Sequence, residues 1–416
     1  MEMSRREFAA ALASIPALPA ILREPMSLDA ANDLRVRAIT AGITLPSLAD
    51  AAPLRAALAF VGRAKGVLVD AGYEVQTVRV AVAWQPAGAT PAALRGALER
   101  WRAFDRMADA AGAVLSTGPV DRAVPLSDAP AWIADLIAAT RRTSTSIAVA
   151  GAGGADEPAR LHAAADAMVR LATVFPQGLG NFRFAAAAHV PSGTPFFPVA
   201  WHQGVPAFGI GLEGAGLVAS LARGQGDRPV VRQRLRRGMD AAFAPVAQLA
   251  RTIEQRERRR YLGIDASPAP GPDRSVGQAI ETLSGQPFGS PSTLAACALI
   301  TDALRSLGTR TCGYSGLMLP VLEDPVLARR AAEGRYGIQH LLLYSSVCGT
   351  GLDVVPVPGD TTREQLGAVI GDVAALSVKW NKPLSVRLLP MPGLVAGDRV
   401  HFDDPILTDS VVLSVA

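Results

Sequence analysis

From Leu34 onward, short apolar runs rich in Val, Ile and Ala alternate with helical stretches almost to the end of the chain. This alternation limits the fold more than any other feature. Extended runs are expected at Val36–Ile43, Glu74–Trp84, Ala113–Ser116, Ser146–Ala150, Asn181–Ala187 and Phe208–Leu212, then at Ile264–Ala266, Gly316–Pro320, Leu341–Ser346, Leu352–Val357 and Leu384–Leu389. Helical stretches fall between them, among them Pro53–Ala71, Thr90–Gly112 and Arg363–Val378, with Trp101, Phe104 and Met107 at core-facing spacing. A long helix is expected over Val230–Gly263, kinked or split at Pro245. Regular βα alternation over this length argues for a parallel sheet or a closed α/β barrel. The run Ser267–Asp273 reads as a long loop within one domain, because the same alternation resumes after it.

Composition closes off other classes. At 49% hydrophobic and 19% charged, the chain is not disordered, and three cysteines cannot build a disulfide framework. No uncharged apolar run reaches the roughly 18–20 residues that cross a bilayer. The net charge of +4 over 416 residues is too dilute for a nucleic-acid surface, and the run Arg256–Arg260 reads as a solvated helix face. Only Lys65, Lys379 and Lys382 are lysines among 41 cationic residues. At the start, Arg5-Arg6 precede Phe8 and an Ala-rich stretch to Leu22, which resembles a twin-arginine export leader but lacks a clean cleavage site. An amphipathic helix is the other reading of residues 1–32, so the location is either cytoplasmic or exported. The main domain is taken as residues 33–416.

Several residues have chemistry-bearing contexts. Gly151-Ala-Gly-Gly-Ala-Asp156 lacks the third glycine of a dinucleotide fingerprint. Gly209-Ile-Gly-Leu-Glu-Gly214 matches G-x-G-x-x-G literally, but its first two glycines fall inside a strand, with no acid about 20 residues on. Backbone N–H groups near Gly214 are instead a candidate anion contact. The five histidines lack zinc-ligand spacing. His202, in a Pro-, Gly- and Phe-rich loop after a strand, is a candidate general base or a structural hydrogen-bonding residue. Cys297 reads as inert core and Cys312 as a turn residue. Cys348, in Cys348-Gly-Thr-Gly-Leu-Asp353, is a candidate nucleophile, with Gly349 and Gly351 letting backbone approach a ligand. Glu323, Asp324, Asp353 and Asp360 are loop acids, the first two also candidate helix caps. Lys379 and Lys382 are lysines in a chain that habitually uses arginine, which hints that one site wants an ammonium.

Taken together, Arg37–Ile43, the Pro195-Phe196…His202-Gln-Gly204 segment and the run Cys348–Asp360 resemble the domain of unknown function 711 family, also called uncharacterised protein family 0210. Ser275-Val276-Gly277, Gly316–Asp324 and Lys382–Pro390 fit the same pattern. The resemblance implies a single α/β barrel of about ten strands similar to pyruvate formate-lyase, with Cys348 on a loop comparable to that fold's cysteine loop. The C-terminal glycyl-radical segment of those enzymes is absent, so radical chemistry is not implied. The terminal Phe402-Asp-Asp-Pro-Ile406 departs from the small-residue run of the family.

The expectation is therefore an enzyme acting on a small polar or anionic metabolite. Cys348 would be nucleophile or hydrogen-transfer thiol, His202 the base and Asp353 its orienting acid. Lys382, Arg387, Gly349, Gly351, Gly214 and Asp360 would hold the ligand. The alternatives are a non-catalytic ligand-binding protein on the same scaffold, or a metal-dependent lyase or hydrolase in which the four loop acids converge. The cofactor is left unknown. The partners expected are a small-molecule ligand and, on base rates for barrels of this size, a second copy.

Overall fold

A computed structural model describes residues 34–84, 90–120, 122–150, 158–224 and 226–415. The leader-like segment and the glycine run 151–156 lie outside these. Five strands come first: β1 (Arg35–Leu45), β2 (Val75–Trp84), β3 (Ala113–Pro119), β4 (Thr143–Ala150) and β5 (Phe184–Ala188). Between them run α1 (Ala52–Asp70), α2 (Pro91–Ala110), α3 (Ala129–Ala139) and α4 (Pro158–Leu171). The second half holds β6 (Ala207–Glu213), α5 (Ala215–Ala222), α6 (Arg228–Glu257), β7 (Arg260–Asp265), α7 (Val276–Ser284) and α8 (Thr293–Arg305). Then follow α9 (Pro325–Ala332), α10 (Ile338–Ser345), β8 (Gly351–Pro358), α11 (Arg363–Trp380), β9 (Leu384–Met391) and a small hairpin, β10 (Arg399–Val400) with β11 (Ser410–Val411).

Nine strands form one sheet in the order β7-β6-β1-β2-β3-β4-β5-β9-β8. Strands β1 to β5 are mutually parallel, as are β6 with β7 and β8 with β9, and the two seams, β1/β6 and β5/β9, are antiparallel. The expected barrel of about ten strands thus takes the coarser form of a large, mostly parallel α/β sheet. Both edge strands, however, reach the same stretch of chain, residues 310–321. Thr311 bridges Ile264 of β7 in parallel, and Pro320 bridges Asp353 of β8 in parallel.

Two sequence expectations change. Leu341–Ser346 is helical, as the C-terminal part of α10, because its Leu-Leu-Leu-Tyr run carries no β-branched residue and follows the start signal at Gly337. Helix α6 runs unbroken through Pro245 and stops at Glu257, where Arg258 turns left-handed (φ 50) and frees residues 260–265 to form β7. Burial of Leu235, Met239, Ala242 and Phe243 before the proline, and of Val246, Ala247 and Ala250 after it, holds the helix together despite the lost N–H. Among the described residues, no helix is long and apolar enough to cross a membrane.

The sheet has unlike faces. Ile39, Ala41 and Ile43 of β1 join Leu54, Phe60, Val61 and Leu68 of α1 in the main core. Each large aliphatic fully buried there contributes on the order of 1.5–3 kcal/mol. The alternate residues of β1 are small or polar and meet the β5–β6 loop. Thr40 donates its hydroxyl to the Pro195 carbonyl (3.4 Å) and Thr44 to that of Gly204 (3.3 Å). A Cβ at Gly42 would lie 2.4 Å from the His202 ring. On β3, the Ser116 hydroxyl faces the carbonyls of Pro198 (3.2 Å) and Ala200 (2.6 Å). Period-2 alternation thus gives large residues to the helices and small ones to a loop lying on the other face.

Candidate anion-binding pocket

The loop tip, Pro195–Pro198, stops part-way along this face and lines a cavity of about 430 Å³. The cavity opens at the N-terminal ends of β1 to β4, through Arg37, Thr77, Arg79, Val114 and Ser144. From the antiparallel strands it takes Gly211, Leu212 and Asp265, at the C-terminal ends of β6 and β7, and Arg387 of β9.

Charge dominates its wall. Glu323 joins two arginines, accepting from Arg37 Nη2 at 2.8 Å and from Arg387 Nη2 at 3.2 Å. Arg387 also grips Asp353 through Nε and Nη2, at 2.8 and 2.7 Å to the same Oδ1, donates to the Phe182 carbonyl and lies 4.8 Å over the Phe182 ring. Asp353 Oδ2 is buried without a hydrogen-bond partner. Beside it the β8–β9 register slips between Leu352 and Val355, and Val354 sits at φ 43, a strained value for a β-branched residue. This irregularity turns Asp353 toward Arg387.

Arg79 is different. Its Nε donates to Thr77 Oγ1 (3.0 Å) and its guanidinium lies 5.1 Å over the Phe197 ring at the loop tip. No carboxylate forms an ion pair with it among the described residues. Burial, followed by the like charges of Arg37 and Arg387, pulls its pKa down to about 9, with Glu323 and Asp265 opposing. At the rim, Arg141 and Arg142 are exposed, and Arg183 is spent on the carbonyls of Ile137 (2.6 Å) and Thr143 (2.8 Å). Asp404 and Ile406, from the loop of the terminal hairpin, complete the mouth.

Of the site residues expected from sequence, Arg387 lines this pocket, and Asp353 is ion-paired to it without itself lining the cavity. The others are not among its lining residues. Cys348 is fully buried in the main core, and its carbonyl accepts from Lys382 Nζ at 2.7 Å. Lys382 also donates to the carbonyls of Ser345 (2.6 Å) and Ser346 (3.1 Å), so its ammonium closes the C-terminal end of α10. Three diverging carbonyls suit a point charge with three donors better than a planar guanidinium, which accounts for a lysine here; Lys379 is exposed. Gly349 crosses Gly316, where a Cβ would meet the Gly316 Cα at 2.3 Å, and Gly351 (φ 91) abuts the Ser385 carbonyl. His202 pairs Nε2 with the Val205 carbonyl (2.8 Å) beside Gly42, and burial lowers its pKa. Gly214 caps α5, and Asp360 is exposed beyond β8.

The acid pair Glu323-Asp324 divides its labour. Glu323 faces the cavity, whereas Asp324 is fully buried and caps both α7 and α9. Among the described residues, no group of three or more His, Cys, Asp or Glu is placed to hold a metal. Sequence reading passed over Arg79 and Asp265. A signal for Arg79 existed: it stands inside the apolar run Val78-Arg79-Val80, as Arg37 stands between Val36 and Ala38 and Arg387 between Val386 and Leu388.

The profile of the family described as Uncharacterised ACR (DUF711) matches residues 29–403. A UPF0210 protein of Desulforudis audaxviator is 30% identical over 405 residues, covering 89% of this chain and 88% of that protein. One from Pyrobaculum islandicum is 31% identical over 351 residues, covering 79% of this chain and 76% of the relative. For the UPF0210 protein PAE3581 of Pyrobaculum aerophilum the figures are 37% over 232 residues, 52% of this chain and 51% of the relative, so that alignment spans about half of either protein.

Proposed function

This chain belongs to the DUF711 family, and from its pocket we propose that it binds a small, multiply charged anionic metabolite at one end of a closed ten-stranded α/β barrel. The observation that carries the reading is Arg79, a cation with no carboxylate ion-pair partner among the described residues, on the wall of a 430 Å³ cavity where its neighbours Arg37 and Arg387 are already paired. A half-buried charge without an ion-pair partner is costly, and a ligand carboxylate or phosphate supplies the missing partner. Exposed Arg141 at the mouth adds attraction for a second anionic group, while Arg142 is paired with Asp109 at 2.6 Å.

Closure of the barrel is supported by residues 310–321, which bridge β7 on one side and β8 on the other in parallel. Counted as a tenth strand, they make two five-stranded parallel halves joined by antiparallel seams. The β5–β6 loop then fills one end and the anion pocket occupies the other.

Calorimetric titration of the full chain with inorganic phosphate, malonate and citrate tests the binding. Saturable binding of at least one probe, weakened strongly by Arg79→Met, is expected. Equal binding by wild type and variant would overturn the reading. No cysteine lines the cavity among the described residues, so the thiol step attached to Cys348 has no place in this proposal.

A further inference from the structure

We infer that Asp265 is a catalytic residue in the same cavity, the acid–base group for proton transfer at a carbon next to a carboxylate or carbonyl of the bound anion. The inference rests on the anion-binding reading and makes the chain an enzyme. Asp265 stands at the C-terminal end of β7, is 4% exposed and lines the cavity together with Arg79. Three donors converge on its Oδ1: the Ser267 N–H (3.1 Å), the Ser267 hydroxyl (2.7 Å) and the Ser315 N–H (3.1 Å). Gly313, at φ 65, makes room for the other oxygen, since a Cβ there would lie 2.4 Å from Oδ2.

What separates Asp265 from the other buried acids here is the absence of a cation; Asp404, the remaining acid of the lining, is only half-buried at the mouth. Glu323 and Asp353 are held in ion pairs by Arg37 and Arg387. Asp265 forms no ion pair among the described residues, and burial pushes its carboxyl up from the ordinary range. Of the three buried carboxyls Glu323, Asp353 and Asp265, it is the one whose protonation can change without stranding an arginine. Its field nevertheless reaches Arg79, so an anion held by that guanidinium sits within the influence of both.

The step needs no co-reactant. The substrate C–H bond breaks, its proton passes to the Asp265 carboxylate, and the electron pair moves onto the adjacent carbonyl or carboxylate oxygen. The enolate gains negative charge that the unpaired Arg79 stabilises, and return of the proton to carbon completes an exchange. An isolated acid beside an uncompensated cation is sufficient for this chemistry, whereas acyl or phosphoryl transfer would also require an activated nucleophile.

The test uses the full chain in D2O with oxaloacetate and 2-oxoglutarate, two dianions with acidic C3 protons, followed by proton NMR. Calorimetry first establishes binding; if neither dianion binds, this inference falls, and if phosphate, malonate and citrate fail as well, the anion-pocket reading falls with it. With binding established, C3 exchange is expected about tenfold or more above the buffer rate. Asp265→Asn is expected to bring it back to the buffer rate while Kd changes by less than about threefold. Ser267→Ala removes a hydrogen bond that favours the charged carboxylate, so its exchange should persist with the pH midpoint moved upward. This second variant decides the matter if Asp265→Asn does not fold. Bound probes exchanging at the buffer rate, Asp265→Asn exchanging like wild type, or an unmoved Ser267→Ala midpoint would overturn the assignment while leaving anion binding intact.

Discussion

Replacing Arg79 with methionine should make the ligand-free protein more stable and ligand binding much weaker. Methionine keeps a flexible apolar stem against the Phe197 ring while removing a cation that faces Arg37 and Arg387. Relief of that repulsion and of the desolvation cost is expected to stabilise the empty protein by about 1–2 kcal/mol, the scale at which apolar replacements of buried charges help. The same guanidinium, with a ligand carboxylate or phosphate as its sole counter-charge, makes a charge-assisted contact of about 2–4 kcal/mol, or a roughly 30- to 1000-fold change in Kd. Thermal denaturation at low ionic strength, with and without citrate, reads both effects.

The stability gain should also depend on pH. The folded-state pKa is about 9, below the ordinary arginine value of the unfolded chain. Below pH 9 the guanidinium is charged in both states and its cost to the fold is fully present. As pH rises through 9 the folded protein releases the proton while the unfolded chain retains it, so wild type gains stability and the variant does not. The advantage of Arg79→Met should therefore be largest near pH 7 and shrink above pH 9. A variant less stable than wild type at pH 7, or one that keeps the full citrate response, would refute the idea that Arg79 awaits an anion.

Other positions test the supports around the pocket. Lys382→Met should lower the thermal midpoint by several degrees, a loss of about 2–4 kcal/mol, because three carbonyls at 2.6–3.1 Å lose their donor. In the same variant, mass spectrometry should find Cys348 alkylated by iodoacetamide faster than in wild type, where the thiol is fully buried. Asp324→Ala should cost about 2–4 kcal/mol by urea denaturation, since the carboxylate accepts from Val276, Gly277, Val326 and Leu327 N–H and from the Ser275 hydroxyl. Gly349→Ala should be far more damaging than Gly285→Ala. The first forces a Cβ to 2.3 Å from Gly316, while the second enters open space and costs about 1 kcal/mol for its left-handed φ of 67.

The strands of the first half were legible because β1, β2 and β4 are rich in Val, Ile, Thr and Ala and buried along most of their length, with few charges, the pattern of strands covered on both faces. Residues 341–346 were not, since Leu favours helix while a short apolar run suits either element, and only the packing of Leu341, Leu342 and Tyr344 resolves it. Glu323 and Asp324 illustrate a limit of local reading. Both precede Pro325, yet the chain turns one carboxylate into two helix ends and the other into a cavity over 280 residues away in sequence from Arg37. Lysine in an arginine-rich chain was an accurate hint of an ammonium's geometry, but its three acceptors are backbone carbonyls.

The pocket's position follows from the direction of the strands. Sites in α/β sheets gather at the C-terminal ends of strands, which drew attention to the loop after β5 and to His202. That loop instead lies along the face of the sheet. It is held by Thr40, Thr44 and Ser116, and its tip becomes the floor of the cavity. Because the β6–β7 pair is antiparallel to β1, the C-terminal ends of these two strands lie at the opposite end of the sheet, beside the starts of β1 and β2. There Asp265 closes β7 and lines the same cavity as Arg79 of β2. The rule about strand ends is obeyed by the second half of the sheet, and a strand-by-strand reading cannot reveal this because the antiparallel seam is a tertiary fact. What sequence does offer is arginine inside an apolar strand: such a residue is kept inward only where charge is wanted, and three strands converge theirs on one cavity.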